Sequence, residues 1–161
     1  MFNHLEGYPS VKLPVKQIAG NRYNTTPEGK NYPSVTTVTG LMNRVWLKKW
    51  KDAVGEEKAN AISGKAMARG SRYHYLQEDF INNKLTEERI NALTPLDLMM
   101  FNQTKELTSR MGDVYMLEGS MYSDELEMAG RVDCIAEFAG KLSVIDFKTS
   151  TKRKVASKIK G

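Results

Sequence analysis

The chain has 161 residues, 40% of them hydrophobic and 27% charged, with a formal net charge of +5 and a single cysteine. Its apolar stretches are short and interrupted by charges, and "MFNHLEGYPS" lacks the basic-then-apolar layout of a signal peptide, so membrane spanning and secretion are excluded as expectations and a cytoplasmic protein is predicted. Cys134 alone excludes an internal disulfide and an iron–sulfur cluster held by four cysteines of this chain, and it reads as a small buried apolar residue.

Neither a linker tract nor a solenoid-period repeat divides the sequence, which predicts a single domain over 1–161. Residues 1–31 read as an N-terminal arm, a short strand followed by turns, with little chemistry. Residues 32–112 read as mainly helical. Ser34 follows Pro33 as a helix N-cap, although the β-branched run Val35 to Thr39 weakens a helix there. "VWLKKWKDAV" places Trp46, Leu47, Trp50 and Val54 at helical spacing and ends at Gly55, with both tryptophans expected to pack inward. A longer helix is predicted from Glu56 to about Lys84, then "TEERINAL", then a helix entered through Thr94 with Pro95 at its first position and closed by Gly112.

The period then changes. "VYMLEGSMYS", "MAGRVDCIAEF" and "KLSVIDFK" alternate as strands do, so residues 113–150 supply a sheet and 151–161 a basic tail. With Ala139-Gly140 as the turn between strands 131–138 and 141–148, facing residues sum to 279. Asp133 then faces Asp146 and Arg131 faces Lys148. Asp133, Asp146 and Lys148 share one face, while Val132, Cys134, Ala136, Phe138, Ile145 and Phe147 form a core face. A three-residue loop would slip this register, but Asp146 and Lys148 share a face in either case.

Two carboxylates about 5 Å apart repel by about 3 kcal/mol at an effective dielectric near 20, so a cation is required between them. Arg131 and Lys148 could supply it as a surface ladder. A Mg²⁺ or Mn²⁺ ion could also supply it, sharpening a bound water and stabilising charge on a phosphate, with Lys148 orienting that water. Upstream, Gly70, His74 and Glu78 recur at i, i+4 along one helix face.

The segments "RGSRYHYLQED" and "AGRVDCIAEFAGKLSVIDFKTS" resemble the RecB-like branch of the PD-(D/E)XK nucleases, in which a glycine-x-x-x-histidine helix precedes a G-R-x-D strand and a D/E-x-K strand. Here 59 residues separate His74 from Asp133 and 13 separate Asp133 from Asp146. With "YPSVTTVTGLM" and "LKKWKDAVGEEKA", the similarity extends to the phage and mitochondrial genome-maintenance exonucleases of that branch and runs from about Tyr32 to Lys152. It implies an α/β restriction-endonuclease-like core, a central mixed sheet flanked by helices, with a helical N-terminal half. It also implies a Mg²⁺- or Mn²⁺-dependent DNA exonuclease acting on single-stranded ends, in a phage protein of a bacterial host.

Position by position, the resemblance implies that Asp133, Asp146 and Lys148 are catalytic. The metal would be held by His74, Asp133, Asp146 and the Phe147 carbonyl, with Glu78, Glu118 and Arg131 in support. Lys152, Arg153 and Lys154 would bind nucleic acid. Relatives in this branch continue after the D-x-K strand into a helix with a Gln-x-x-x-Tyr pattern, which implies a further segment or a partner chain. Two alternatives stay open: a truncated or non-catalytic nucleic-acid-binding module of the same fold, and a nuclease acting on RNA.

Overall fold

The computed structural model describes residues 1–8 and 12–151. Three short strands come first, β1 (Val15–Ile18), β2 (Asn21–Thr25) and β3 (Asn31–Pro33), in one antiparallel sheet. Four helices follow: α1 (Val35–Val54), α2 (Glu56–Ile81), α3 (Glu87–Asn91) and α4 (Pro95–Thr108). A second antiparallel sheet closes the sequence with β4 (Met111–Ser123), β5 (Met128–Phe138) and β6 (Lys141–Ile145).

Two expectations are corrected here. Among the described residues there is not one central mixed sheet but two three-stranded antiparallel ones, and parallel pairing among them is confined to isolated bridges, His4 to Val114 and Ser34 to Ala129. The N-terminal arm, in turn, holds two strands rather than one, β1 and β2, and runs into β3. Its strands are too short and too exposed to show alternation; all four residues of β1 are exposed.

The hairpin register follows from its turns. Ala139 and Gly140 both have positive φ, 51° and 75°, as do Ala19 and Gly20, at 49° and 76°. These are two-residue loops of the type that matches strand twist, and Ala139-Gly140 closes Phe138 against Lys141. Cys134 therefore pairs with Ile145, a sum of 279 as expected, but β6 ends at Ile145 rather than 148. Cys134 and Ala136 are fully buried and Phe147 nearly so, with Phe138 and Ile145 packed on the same cluster. Burial pushes the Cys134 thiol up to about 12, so the thiol stays protonated.

α1 starts at Val35 despite the β-branched run, because Ser34 Oγ accepts the Thr37 N–H at 3.1 Å and caps the helix. It ends at Gly55, whose φ of 88° is open to glycine and strained for other residues, and α2 begins at the next position. α1 buries none of its residues. The inward-packing expectation for its tryptophans is corrected: Trp46 is 66% exposed and lies parallel to Trp50, with ring centroids 6.3 Å apart.

α2 carries the buried stripe Tyr73, Leu76, Gln77 and Ile81. Gln77 Nε2 donates to Tyr73 Oη at 3.1 Å and to Thr104 Oγ1 at 2.9 Å, and Thr108 Oγ1 donates to Gln77 Oε1 at 3.3 Å, which joins α2 to α4. The N-terminal residues join the edge of the second sheet. Val114 N–H donates to Asn3 O at 2.8 Å, and Leu5 N–H to Val114 O at 2.9 Å.

α4 opens as the sequence predicts, with Thr94 as cap and Pro95 first. Buried Asp97 in its first turn accepts from Arg72 Nε at 2.9 Å and from Thr94 Oγ1 at 2.8 Å. The Arg72 guanidinium holds the Asp97 carboxyl below its ordinary value. The pair therefore contributes stability above the unfolded value of about 3.9 that is lost as pH falls through the lower folded one. Asp97→Ala should lower unfolding stability at pH 7 by about 1–3 kcal/mol. In urea titrations the variant and the parent should converge as the pH is taken below the ordinary aspartate range.

Candidate active site

Three elements converge on one group of side chains. α2 supplies His74, β4 supplies Glu118 and β5 supplies Asp133, and one ligand atom from each lies within 4.8 Å of the other two. His74 Nδ1 is 3.5 Å from Asp133 Oδ2 and 4.0 Å from Glu118 Oε1. His74 arrives there because the inward stripe of Tyr73 and Gln77 leaves the adjoining face of α2, with His74 and Glu78, beside the sheet.

Glu118 arrives by a distortion. The β4–β5 register is constant on either side of it, Leu117 with Cys134 and Gly119 with Val132, which sets Glu118 across from Asp133. Its φ is 53°, a left-handed value that costs a non-glycine residue about 1 kcal/mol. A Cβ on Gly119 would collide with the Met116 side chain, so any larger residue there must displace Met116.

Charge is apportioned residue by residue. Arg131 Nη2 forms an ion pair with Glu118 Oε2 at 2.5 Å. Burial pushes the Glu118 carboxyl up; the Arg131 charge opposes this, Asp133 and Glu78 add to it, and His74 opposes it. The Phe147 N–H donates to Asp133 Oδ2 at 2.7 Å, which ties the segment after β6 to the acid on β5. Lys148 Nζ donates to Asp146 Oδ1 at 2.7 Å, with these side chains 75% and 54% exposed.

The expected site residues thus separate. His74, Glu118 and Asp133 stand together, and His74 and Glu118 line a pocket of about 310 Å³ with Glu78 and Arg131. Asp146 and Lys148 lie outside that group, paired with one another, in an adjoining cleft of about 640 Å³ that also borders Asp133 and Arg131. Arg131 meets Glu118 and not Lys148, because β6 ends before their register position. Phe147 reaches the site through its amide N–H to Asp133. Lys152, Arg153 and Lys154 lie outside the described residues. Thr149 was not singled out in the sequence, yet Arg69 Nε donates to its Oγ1 at 3.4 Å, and a Cβ on Gly70 would stand 4.0 Å from that atom.

The donor set is one imidazole nitrogen and two carboxylates, a combination that suits Mn²⁺ or Mg²⁺. His74 Nδ1 stands 3.5 and 4.0 Å from the two acids and all three donor atoms lie within 4.8 Å of one another, so an ion at about 2.1 Å from each would draw them together and relieve the two acids most. The residues present therefore fit a divalent cation. Among the described residues no helix is long and apolar enough to cross a membrane.

No protein-family model matches the chain. It is similar to mitochondrial genome maintenance exonuclease 1 from three vertebrates. Identity is 31% over 131 residues with the Homo sapiens protein, covering 76% of this chain and 38% of the relative. With the Xenopus tropicalis protein it is 30% over 133 residues, covering 76% and 37%. With the Mus musculus protein it is 24% over 132 residues, covering 75% and 38%. The chain thus spans less than half the length of these relatives, and the similarity suggests a nuclease.

A cation held by His74, Glu118 and Asp133 would raise the thermal midpoint by mass action, with about 2.7 kcal/mol gained at 100 times the dissociation constant. Calorimetry with and without Mn²⁺ should show that rise in the parent chain and its loss in Asp133→Asn, which keeps an acceptor for the Phe147 N–H. Glu118→Gln should weaken it.

Proposed function

We propose that this chain is the nuclease domain of a metal-dependent DNA exonuclease of the RecB-like PD-(D/E)XK type, acting on single-stranded ends. The observation that carries the reading is the convergence of His74, Glu118 and Asp133 in a chain whose relatives are named exonucleases. A role in DNA replication, recombination or repair goes with it. A phage source and a bacterial cytoplasm rest on the sequence resemblance alone, since the relatives above are mitochondrial by name.

His74, Glu118 and Asp133 would hold the cation, with Asp146 and the Phe147 carbonyl as further ligands implied by the resemblance. A divalent ion bound there supplies a water of lowered pKa and neutralises charge on the phosphate. Arg131 restrains the Glu118 carboxylate, and the Phe147 N–H restrains that of Asp133, so both acids are oriented before substrate arrives. Lys148 stands at the adjoining cleft with its ammonium exposed, where it can orient the attacking water and stabilise the phosphate oxygens as charge builds on them. Its bond to Asp146 is a solvent-exposed ion pair worth little, so substrate can displace it at small cost. In the reaction, water oxygen bonds to phosphorus, the phosphorus–oxygen bond to the next nucleotide breaks, and the water proton passes to solvent while the leaving oxygen is protonated.

A second reading, a nucleic-acid-binding module that does not cut, is favoured by the Asp146–Lys148 pairing, which keeps both residues outside the donor group. Its binding would fall with salt and would not need metal.

End-labelled single-stranded DNA should be degraded with Mn²⁺ or Mg²⁺ and protected by EDTA. Asp133→Ala and Lys148→Ala should each lower the rate by about 100-fold or more. Degradation undiminished in both variants would overturn the assignment, and binding without degradation by the parent would select the second reading.

A further inference from the structure

The cleft that borders Asp133, Asp146 and Lys148 ends, at its other wall, on groups of opposite electrostatic character. Arg22 and Asn24 of β2 line it together with Ser34, Val35 and Thr36 at the entrance of α1. α1 is 20 residues long and has no acidic residue in its first turn, so the positive end of its dipole is uncompensated. Ser34 satisfies Thr37 N–H through Oγ at 3.1 Å and Val38 N–H through its carbonyl at 3.1 Å. The N–H groups of Val35 and Thr36 have no partner within the helix, and these two residues line the cleft.

Asn24 independently points to a ligand. It is 6% exposed, lines the cleft, and its carboxamide makes no hydrogen bond to any described residue. Its amide is not sealed from solvent, Asp97 Oδ1 being the one fully enclosed side-chain oxygen or nitrogen without a partner among the described residues, so the carboxamide stays accessible to a ligand in the cleft it lines. Arg22, two residues earlier on the same face of β2, adds a guanidinium.

This end of the cleft is also built rigidly. The Arg22 carbonyl accepts from Ser34 N–H at 2.9 Å and from Thr37 Oγ1 at 3.1 Å, which fixes the start of α1 on β2. Ser34 bridges to Ala129, and a Cβ on Gly130 would stand 3.1 Å from Val35 Cγ2, so the same residues rest on the start of β5. From Gly130 to Asp133 is three residues of strand, roughly 10 Å.

We propose that Arg22, the Asn24 amide and the N–H groups of Val35 and Thr36 form a phosphate subsite, which holds a phosphate of the nucleic-acid strand flanking the one at Asp133. The inference rests on the nuclease reading for its substrate, but its chemistry is that of a phosphate oxyanion, whether an internal diester or a terminal monoester.

The test measures binding of a short single-stranded oligonucleotide in EDTA by fluorescence anisotropy. One neutral methylphosphonate linkage is placed at each position in turn, with and without a 5′-phosphate. Arg22→Ala and Thr36→Glu should each weaken binding about tenfold. One neutral linkage, or loss of the terminal phosphate if that is the occupant, should weaken the parent by a similar factor and leave the variants unaffected. An acid in the first turn of α1 favours the helix, so Thr36→Glu should keep the parent's thermal midpoint, which separates lost binding from lost folding. Variants that bind like the parent, or that stay as sensitive as the parent to the neutral linkage, overturn the subsite. Cleavage with Mn²⁺ is scored separately. A parent that does not cut but shows the linkage-specific loss keeps the subsite and removes the nuclease reading, and a parent that cuts without that loss does the reverse.

Discussion

The rotational phase of α2 is the constraint on which the site depends. Gln77 is fully buried, and its amide is satisfied only while Tyr73, Thr104 and Thr108 surround it. Turning the helix would leave a buried carboxamide without partners, at a cost of about 1–3 kcal/mol for each orphaned group. His74 and Glu78 each follow a member of that buried stripe by one residue, about 100° around the helix, so the polar core between α2 and α4 fixes where the imidazole meets the sheet. Structure and chemistry are joined at adjacent positions: Tyr73 is held inside, and His74 is thereby held at the acids.

Asp146 and Glu118 each have a cationic side chain of their own, Lys148 and Arg131, and His74 stands between Glu118 and Asp133. The repulsion expected between Asp133 and Asp146 is avoided because the Phe147 N–H and His74 attend Asp133, while Lys148 attends Asp146. Glu118 takes Arg131 in place of the Lys148 partner that the hairpin register had implied for that arginine. The inner pairs are partly buried and geometrically constrained, and the outer pair is exposed. That gradient leaves the donor group preorganised and the lysine free to exchange partners.

Much of this was legible in the residues, for physical reasons that can be named. The β5–β6 register followed from Ala139-Gly140, because an even loop admits one alternation and the buried face of Cys134, Ala136 and Phe147 enforces it. Helix entries at Ser34 and Thr94 were legible because a hydroxyl cap is a local device. Glu118 stood out less, since its position depends on a left-handed residue within a strand, and no period reports such a break. The β1–β3 sheet was hidden because its short strands lack a buried alternation. The tryptophans of α1 misled because helical spacing reports a shared face without saying whether anything covers it. Arg22 and Asn24 carried no motif; their significance comes from the fold that brings β2 to the start of α1.

Gly55 joins α1 to α2 with no intervening loop, and this makes helix length a measuring device. The start of α1 is pinned to β2 and β5, and α2 is pinned through its buried stripe, so nothing between them can absorb a change in residue count. A residue inserted into α1 would turn one end against the other by about 100° and shift it by about 1.5 Å, whereas four inserted residues would nearly restore the angle. The distance between the two ends of the cleft is in that sense quantised, and chains of this design can lengthen in whole helical turns far more readily than by single residues.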